Sequence, residues 1–151
     1  MAELISNKSR FFTYNELCIS ADYPEIAQKI QLSPFMFSRA RLLVDSCLHS
    51  IRIVFGVTKI LSWVRDEKLN KKVGGSLNSD HLLGSAVDFI CPNITDNFEI
   101  FKYIYKKRMQ IRQLIWYEKE KFIHLSINDC LRDFKEDFLI KEKNGNYRVY
   151  Q

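Results

Sequence analysis

Residues 79–88 read Ser79-Asp80-His81-Leu82-Leu83-Gly84-Ser85-Ala86-Val87-Asp88, and the stretch changes character halfway along. Its second half runs on as Ala86-Val87-Asp88-Phe89-Ile90, a brief alternation that stops at Cys91-Pro92 and predicts a strand. His81 therefore stands just before a strand and Asp88 stands on it, with six residues between them. Gly84 falls where the chain must turn between the two, which favours a residue without a Cβ. The small residues Ser85 and Ala86 leave room beside it.

On the N-terminal side, the polar, Gly-containing run from Lys68 to Asn78 predicts a loop leading into this stretch. Before it, Val57 to Val64 is rich in β-branched and aromatic residues after Gly56, and predicts a strand ending near Arg65. Between Ser33 and about Phe55, the residues Phe37, Ala40, Leu43, Val44, Cys47, Leu48 and Ile51 recur at three- and four-residue spacing behind Ser33-Pro34, the pattern of a long core helix. Residues 11–31 hold Thr13-x-x-Glu16, a capping-box pattern, and Pro24, so small helices and turns are expected there.

On the C-terminal side, residues 96–109 predict a helix with Phe98, Phe101, Ile104 and Tyr105 on one face and Asp96 as a cap. Residues 113–117 and 122–127 predict a strand pair joined by the charged turn Glu118-Lys119-Glu120-Lys121. The tail, 131–151, offers only the turn Asn144-Gly145-Asn146. No internal repeat or linker divides the chain. Residues 1–151 are expected to form one α+β domain, a small antiparallel sheet packed against helices.

The 151 residues are 46% hydrophobic and 27% charged, ordinary values for a chain folded throughout. A net charge of +5 and a pI near 9.0 suit an anionic partner surface, whether nucleic acid, phospholipid or wall polymer. The densest basic group, Lys106-Lys107-Arg108, is framed by no nucleic-acid motif and predicts a solvated helix face, so no nucleic-acid partner is expected. Nowhere do about 18 consecutive apolar residues occur, and the N-terminus has no signal-peptide core. The expectation is a soluble protein made in the cytoplasm, without a membrane span. Cys18, Cys47, Cys91 and Cys130 are dispersed, with no C-x-x-C pair, and are expected to be reduced and mostly buried.

His81, Asp88 and His124 are the two imidazoles and one carboxylate that these elements could bring together. Zinc accepts both donor types, and catalytic zinc sites typically have three protein ligands plus a water. The spacing equally suits a hydrogen-bonded His–Asp pair without metal, the commoner case. A non-haem iron site also takes two histidines and a carboxylate, but usually from a closely spaced His-x-Asp/Glu pair. His49, on the predicted core helix and away from every motif, is expected to be packed or at the surface.

The string SDHLLGSAVD fills every fixed position of Ser-x-His-x-x-Gly-x-Ala-x-Asp and so resembles the signature of the zinc D-Ala-D-Ala carboxypeptidase family. That family includes vancomycin-resistance dipeptidases and phage L-alanyl-D-glutamate endolysins. Phe12-Thr13-x-x-Glu16-Leu17, Asn70-x-x-Val73-Gly74-Gly75-Ser76, Gln113-Leu114-Ile115 and Ile123-His124-Leu125-Ser126 resemble its other motifs in the same order, over about residues 11–128. The resemblance implies a peptidoglycan peptidase with His81, Asp88 and His124 as zinc ligands. Arg65 falls where the family has an arginine after Ser-Gly-Tyr, here Ser62-Trp63-Val64, which implies that it polarises the scissile carbonyl and steadies the oxyanion. Ser79 is expected to bind substrate or to orient a ligand.

The family usually has a glutamate shortly after Gln-Leu-Ile, and here Trp116-Tyr117 intervenes before Glu118, with Glu120 as a competitor. A three-residue turn, Lys119-Glu120-Lys121, would set Glu118 opposite Phe122 and on the sheet face of His124, which favours Glu118 as the base. The resemblance further implies a monomeric, phage-type enzyme that reaches the cell wall after release or within a virion. A non-catalytic wall-binding or virion protein on the same fold is the alternative.

Overall fold

A computed structural model of the chain describes residues 3–128 and 133–151. Its strands are β1 (Leu4–Ser6), β2 (Ser9–Thr13), β3 (Lys59–Ser62), β4 (Ala86–Ile90), β5 (Ile111–Tyr117), β6 (Phe122–Ile127), β7 (Asp137–Lys141) and β8 (Tyr147–Val149). The helices are α1 (Pro24–Ala27), α2 (Pro34–Leu43), α3 (His49–Phe55), α4 (Glu67–Lys72) and α5 (Phe98–Lys107).

The predicted core helix is α2 and α3, run together through one wider π-type segment at Val44–Leu48. It starts where Ser33 Oγ accepts the Met36 N–H at 3.1 Å with Pro34 at the first helical position, and it ends at Gly56, whose φ is 79°. Ala40, Leu43, Val44, Cys47, Leu48 and Ile51 along it are fully buried. The expected loop after Arg65 instead begins as α4, because Asp66 caps it through the Leu69 N–H at 2.8 Å and Leu69 enters the core. The N-terminal segment, expected to be helices and turns, opens as the β1–β2 hairpin. Only then does a 3₁₀ turn follow, with Glu16 accepting the Thr13 N–H at 2.7 Å.

Six strands form one sheet in the order β3-β4-β6-β5-β7-β8. The expected antiparallel pairing holds from β3 to β5, but the tail adds β7 parallel to β5, then β8 antiparallel to β7. Burial draws the tail there: Phe138 and Ile140 of β7 join Leu114 and Trp116 of β5 on the face that packs against α5. Val87, Phe89, Ile123 and Leu125 complete that apolar face. Alternation therefore turns Ser62, Asp88, His124, Ile115, Leu139 and Lys141 to the other face, which floors a cleft of about 1020 Å³.

Cys18, Cys47 and Cys91 are free thiols, as expected, and burial pushes the Cys47 thiol up to about 12. Cys130 lies outside the described residues. Among the described residues no helix is long and apolar enough to cross a membrane.

Candidate metal centre

Two of the three predicted ligands are set by sheet register, because Asp88 of β4 lies directly opposite His124 of β6. The third comes from the 3₁₀ turn Asp80–Leu83 that precedes β4. Ser79 caps this turn, its Oγ accepting the His81 N–H at 3.3 Å. Gly84 ends it at φ 78°, so close to α2 that a Cβ there would sit 2.5 Å from the Met36 carbonyl oxygen. The segment after β3 clamps the turn from the other side: Trp63 Nε1 donates to the Gly84 carbonyl at 3.2 Å, and the Arg65 N–H donates to the His81 carbonyl at 3.0 Å.

One donor atom from each of His81, Asp88 and His124 lies within 4.8 Å of the other two, and all three residues are buried. His81 Nδ1 is 2.5 Å from the Trp63 carbonyl, which can only accept, so Nδ1 carries the proton. In the neutral ring Nε2 is then a bare lone pair, and it faces Asp88 Oδ1 at 3.3 Å. The same oxygen lies 2.8 Å from His124 Nδ1.

Burial lowers the His81 pKa, and the charges of Arg65 and His124 lower it further against the pull of Asp88. Burial pushes the Asp88 carboxyl up, but the two imidazoles beside Oδ1, His81 foremost, outweigh it and hold the group well below the usual carboxylate range. A neutral imidazole lone pair opposite a charged carboxylate oxygen repels unless a cation lies between them. About 3.4 Å separates ligand atoms bound at ~2.1 Å in a tetrahedral zinc site, so the donor set fits a metal ion in type and in spacing.

Arg65 is in the cleft, where two nitrogens of its guanidinium meet residues of the site. Nη2 donates to Asp88 Oδ2 at 2.6 Å and Nε to Ser62 Oγ at 3.0 Å. It thereby braces the Asp88 carboxylate from the side away from the imidazoles. His49 packs away from the site, stacked on Phe11 at 6.1 Å.

The predicted hairpin register is off by one residue. Tyr117 pairs with Phe122 and Ile115 with His124, so the turn holds four residues, Glu118–Lys121, closed by Lys121 N–H donating to the Tyr117 carbonyl at 2.8 Å. The Tyr117 and Phe122 rings stack at 4.2 Å across this pair, and Lys121 takes φ 60° to make room for the extra residue. Glu118 therefore falls on the far side of the sheet, beside Phe98, Trp116 and Ile140, whereas Glu120 lines the cleft.

Sequence reasoning missed the rest of the cleft: Tyr117, the ion pair of Arg112 with Asp80, and Asp137, Leu139, Lys141 and Tyr147 from the tail. Tyr117 was legible from its alternation with Ile115 once the register was known. The tail residues belong to no motif. Burial raises the Tyr117 phenol, and the nearby charge of Asp88 raises it further, so it stays protonated.

Residues 12–126, more than half of the chain, match the family model described as Peptidase M15. No curated protein matches the chain.

Proposed function

Because this chain belongs to the peptidase M15 family, we propose that it is a zinc metallopeptidase hydrolysing peptidoglycan stem peptides, of the D-Ala-D-Ala carboxypeptidase or L-Ala-D-Glu endopeptidase type. The observation that carries this reading is the lone pair of His81 Nε2 facing Asp88 Oδ1 at 3.3 Å inside a cleft, an arrangement that calls for a cation. His81 Nε2, His124 Nδ1 and one Asp88 oxygen would hold that cation. Zinc bound there supplies Lewis acidity and a water whose pKa is lowered toward ~7.

The chain's own residues supply the rest. The Trp63 carbonyl fixes the His81 tautomer, and the Arg65 bond to Oδ2 fixes the orientation of Asp88, so the donors are held in place. Glu120, the glutamate of the hairpin turn that lines the cleft, takes the proton of the attacking water and returns it to the leaving amine nitrogen. The net charge of +5 favours encounter with an anionic wall polymer.

One observation favours a second reading, a non-catalytic wall-binding or virion protein: Glu118 is turned away and Glu120 is exposed on the turn. Mass spectrometry of defined muropeptides incubated with zinc-loaded protein separates the two. Loss of one terminal alanine marks a carboxypeptidase, and release of a larger peptide marks an endopeptidase. Intact peptides, with the protein sedimenting on purified wall, would replace the enzyme by the binding protein.

A further inference from the structure

Four cations among the described residues line the cleft: Arg65, Arg112, Lys135 and Lys141. Three of them meet an acid of the same chain. Arg65 holds Asp88 at 2.6 Å, Arg112 lies 3.6 Å from Asp80, and Lys135 binds Asp137 at 2.5 Å. Among the described residues no carboxylate lies within ion-pair distance of Lys141 Nζ. That ammonium instead lies over two aromatic rings, 5.0 Å from the centre of Tyr117 and 5.7 Å from that of Tyr147.

The sheet enforces this arrangement. Lys141 pairs with Tyr117 on one side and with Tyr147 on the other, so both rings are its nearest neighbours on the cleft face. Tyr117 is itself fixed by its stack on Phe122. Ring faces attract the charge but do not use up the three N–H donors of an ammonium. A half-buried charge held in place with donors to spare suits an anion that can accept them.

Its position says which anion. From His124, Lys141 is two strands across and two residues along. At ~4.8 Å per strand and ~3.3 Å per residue the two Cα atoms are about 12 Å apart. An extended peptide covers ~3.3–3.6 Å per residue, and the lysine side chain shortens the span, which leaves two to three residues.

We propose that Lys141, braced by Tyr117 and Tyr147, is a subsite for a carboxylate of the peptide substrate two to three residues from the bond that is cut. The proposal rests on the peptidase reading above. β7 and β8 lie beyond residue 126, outside the stretch that matches the family, so this wall of the cleft is a feature of the chain's own tail.

The test uses the full zinc-loaded chain and three synthetic peptides. They are L-alanyl-γ-D-glutamyl-L-lysyl-D-alanyl-D-alanine, the same peptide with D-isoglutamine, and the same peptide with a C-terminal amide. Affinity is read by calorimetry, which needs no turnover, and KM is read wherever cleavage occurs. In wild type the D-isoglutamine peptide, whose missing carboxylate lies three residues from the D-alanyl-D-alanine bond, should bind about tenfold more weakly than the free acid, the scale of one charge-assisted hydrogen bond. That ratio should fall to about one in Lys141→Gln and in Lys141→Met, whose stem still covers the rings, and persist in Lys141→Arg. Melting temperature and zinc content identify any variant that fails to fold. Cleavage of all three peptides with equal affinity, or an acid-to-amide ratio in Lys141→Gln matching wild type, would overturn the subsite and leave the peptidase standing. If no peptide binds or is cut, both readings fall together.

Discussion

Both Asp88 oxygens are occupied: two imidazoles approach Oδ1, and the Arg65 guanidinium donates to Oδ2. Truncating Arg65 leaves that buried carboxylate oxygen unpaired and the ligand free to rotate. Arg65→Ala is therefore expected to weaken zinc binding by about 10- to 100-fold, the usual cost of losing a partner that orients a ligand. Competition with a chelator measures it. Unchanged zinc affinity together with a large fall in kcat would instead support the oxyanion role that the resemblance implies for Arg65. The two turn glutamates divide the same way: Glu120→Gln should reduce hydrolysis by at least ~10²-fold with zinc retained, while Glu118→Gln should do little. The opposite pattern would mean that the hairpin shifts by one residue when substrate binds. The metal-free protein also has a pH signature. Burial holds His81 below its ordinary range, whereas in the unfolded chain it takes a proton near pH ~6.5. The unfolded state then binds more protons on acidification, so stability should fall as the pH drops through about 6.5 and below. Asp88 adds nothing to that slope, since its depressed carboxyl contributes fully until the pH falls below ~3.9. The urea midpoint reports it, and a midpoint that rises on acidification would show that folded His81 is protonated.

At the scale of elements, the turn that carries His81 is seated on α2 through Gly84. This position combines φ 78° with a carbonyl 2.5 Å from where a Cβ would stand. Backbone atoms of a helix cannot swing aside as a flexible side chain can. Gly84→Ala should cost about 2–4 kcal/mol, the left-handed strain of a non-glycine residue plus the displacement of the turn. It should also lower zinc affinity, because His81 moves with the turn. A variant with wild-type melting temperature and wild-type zinc affinity would show that the turn and α2 part freely.

At the scale of the whole molecule, Tyr150 ties β7 and β8 to α5. Tyr150 meets Phe98, Phe101 and Tyr105 of α5 edge to face, at 5.9, 5.0 and 4.9 Å, and its N–H donates to the Phe138 carbonyl at 2.8 Å. Tyr150 thus pins β7 and β8 against the helix that backs the sheet carrying Asp88 and His124. Tyr150→Ala is expected to destabilise the fold by about 2–4 kcal/mol, from three aromatic pairs and the space left behind. Thermal unfolding checks the stability. Because Lys141 and Tyr147 ride on the same strands, discrimination between acid and amide peptides should weaken in the variant before zinc is lost. A tail that melted away without affecting that discrimination would separate the hairpin from substrate binding.

What the amino-acid sequence determined by itself is local or marked by spacing. The Ser33-Pro34 helix start, the strand Ala86–Ile90 and the turn at Gly84 were legible because a few neighbouring residues carry each signal, and the grouping of His81, Asp88 and His124, a set that could hold a metal ion, was legible through a resemblance whose motifs follow in order along the chain. The tertiary structure decided whatever depended on pairing between distant strands. One extra residue in the turn Glu118–Lys121 reverses which glutamate faces His124, since side chains alternate with period two and no residue near the turn announces its length. Arg65 meets Asp88 only because β3 pairs with β4, and the motif-free tail becomes a cleft wall only because Phe138 and Ile140 find an apolar face on β5 that local sequence does not reveal.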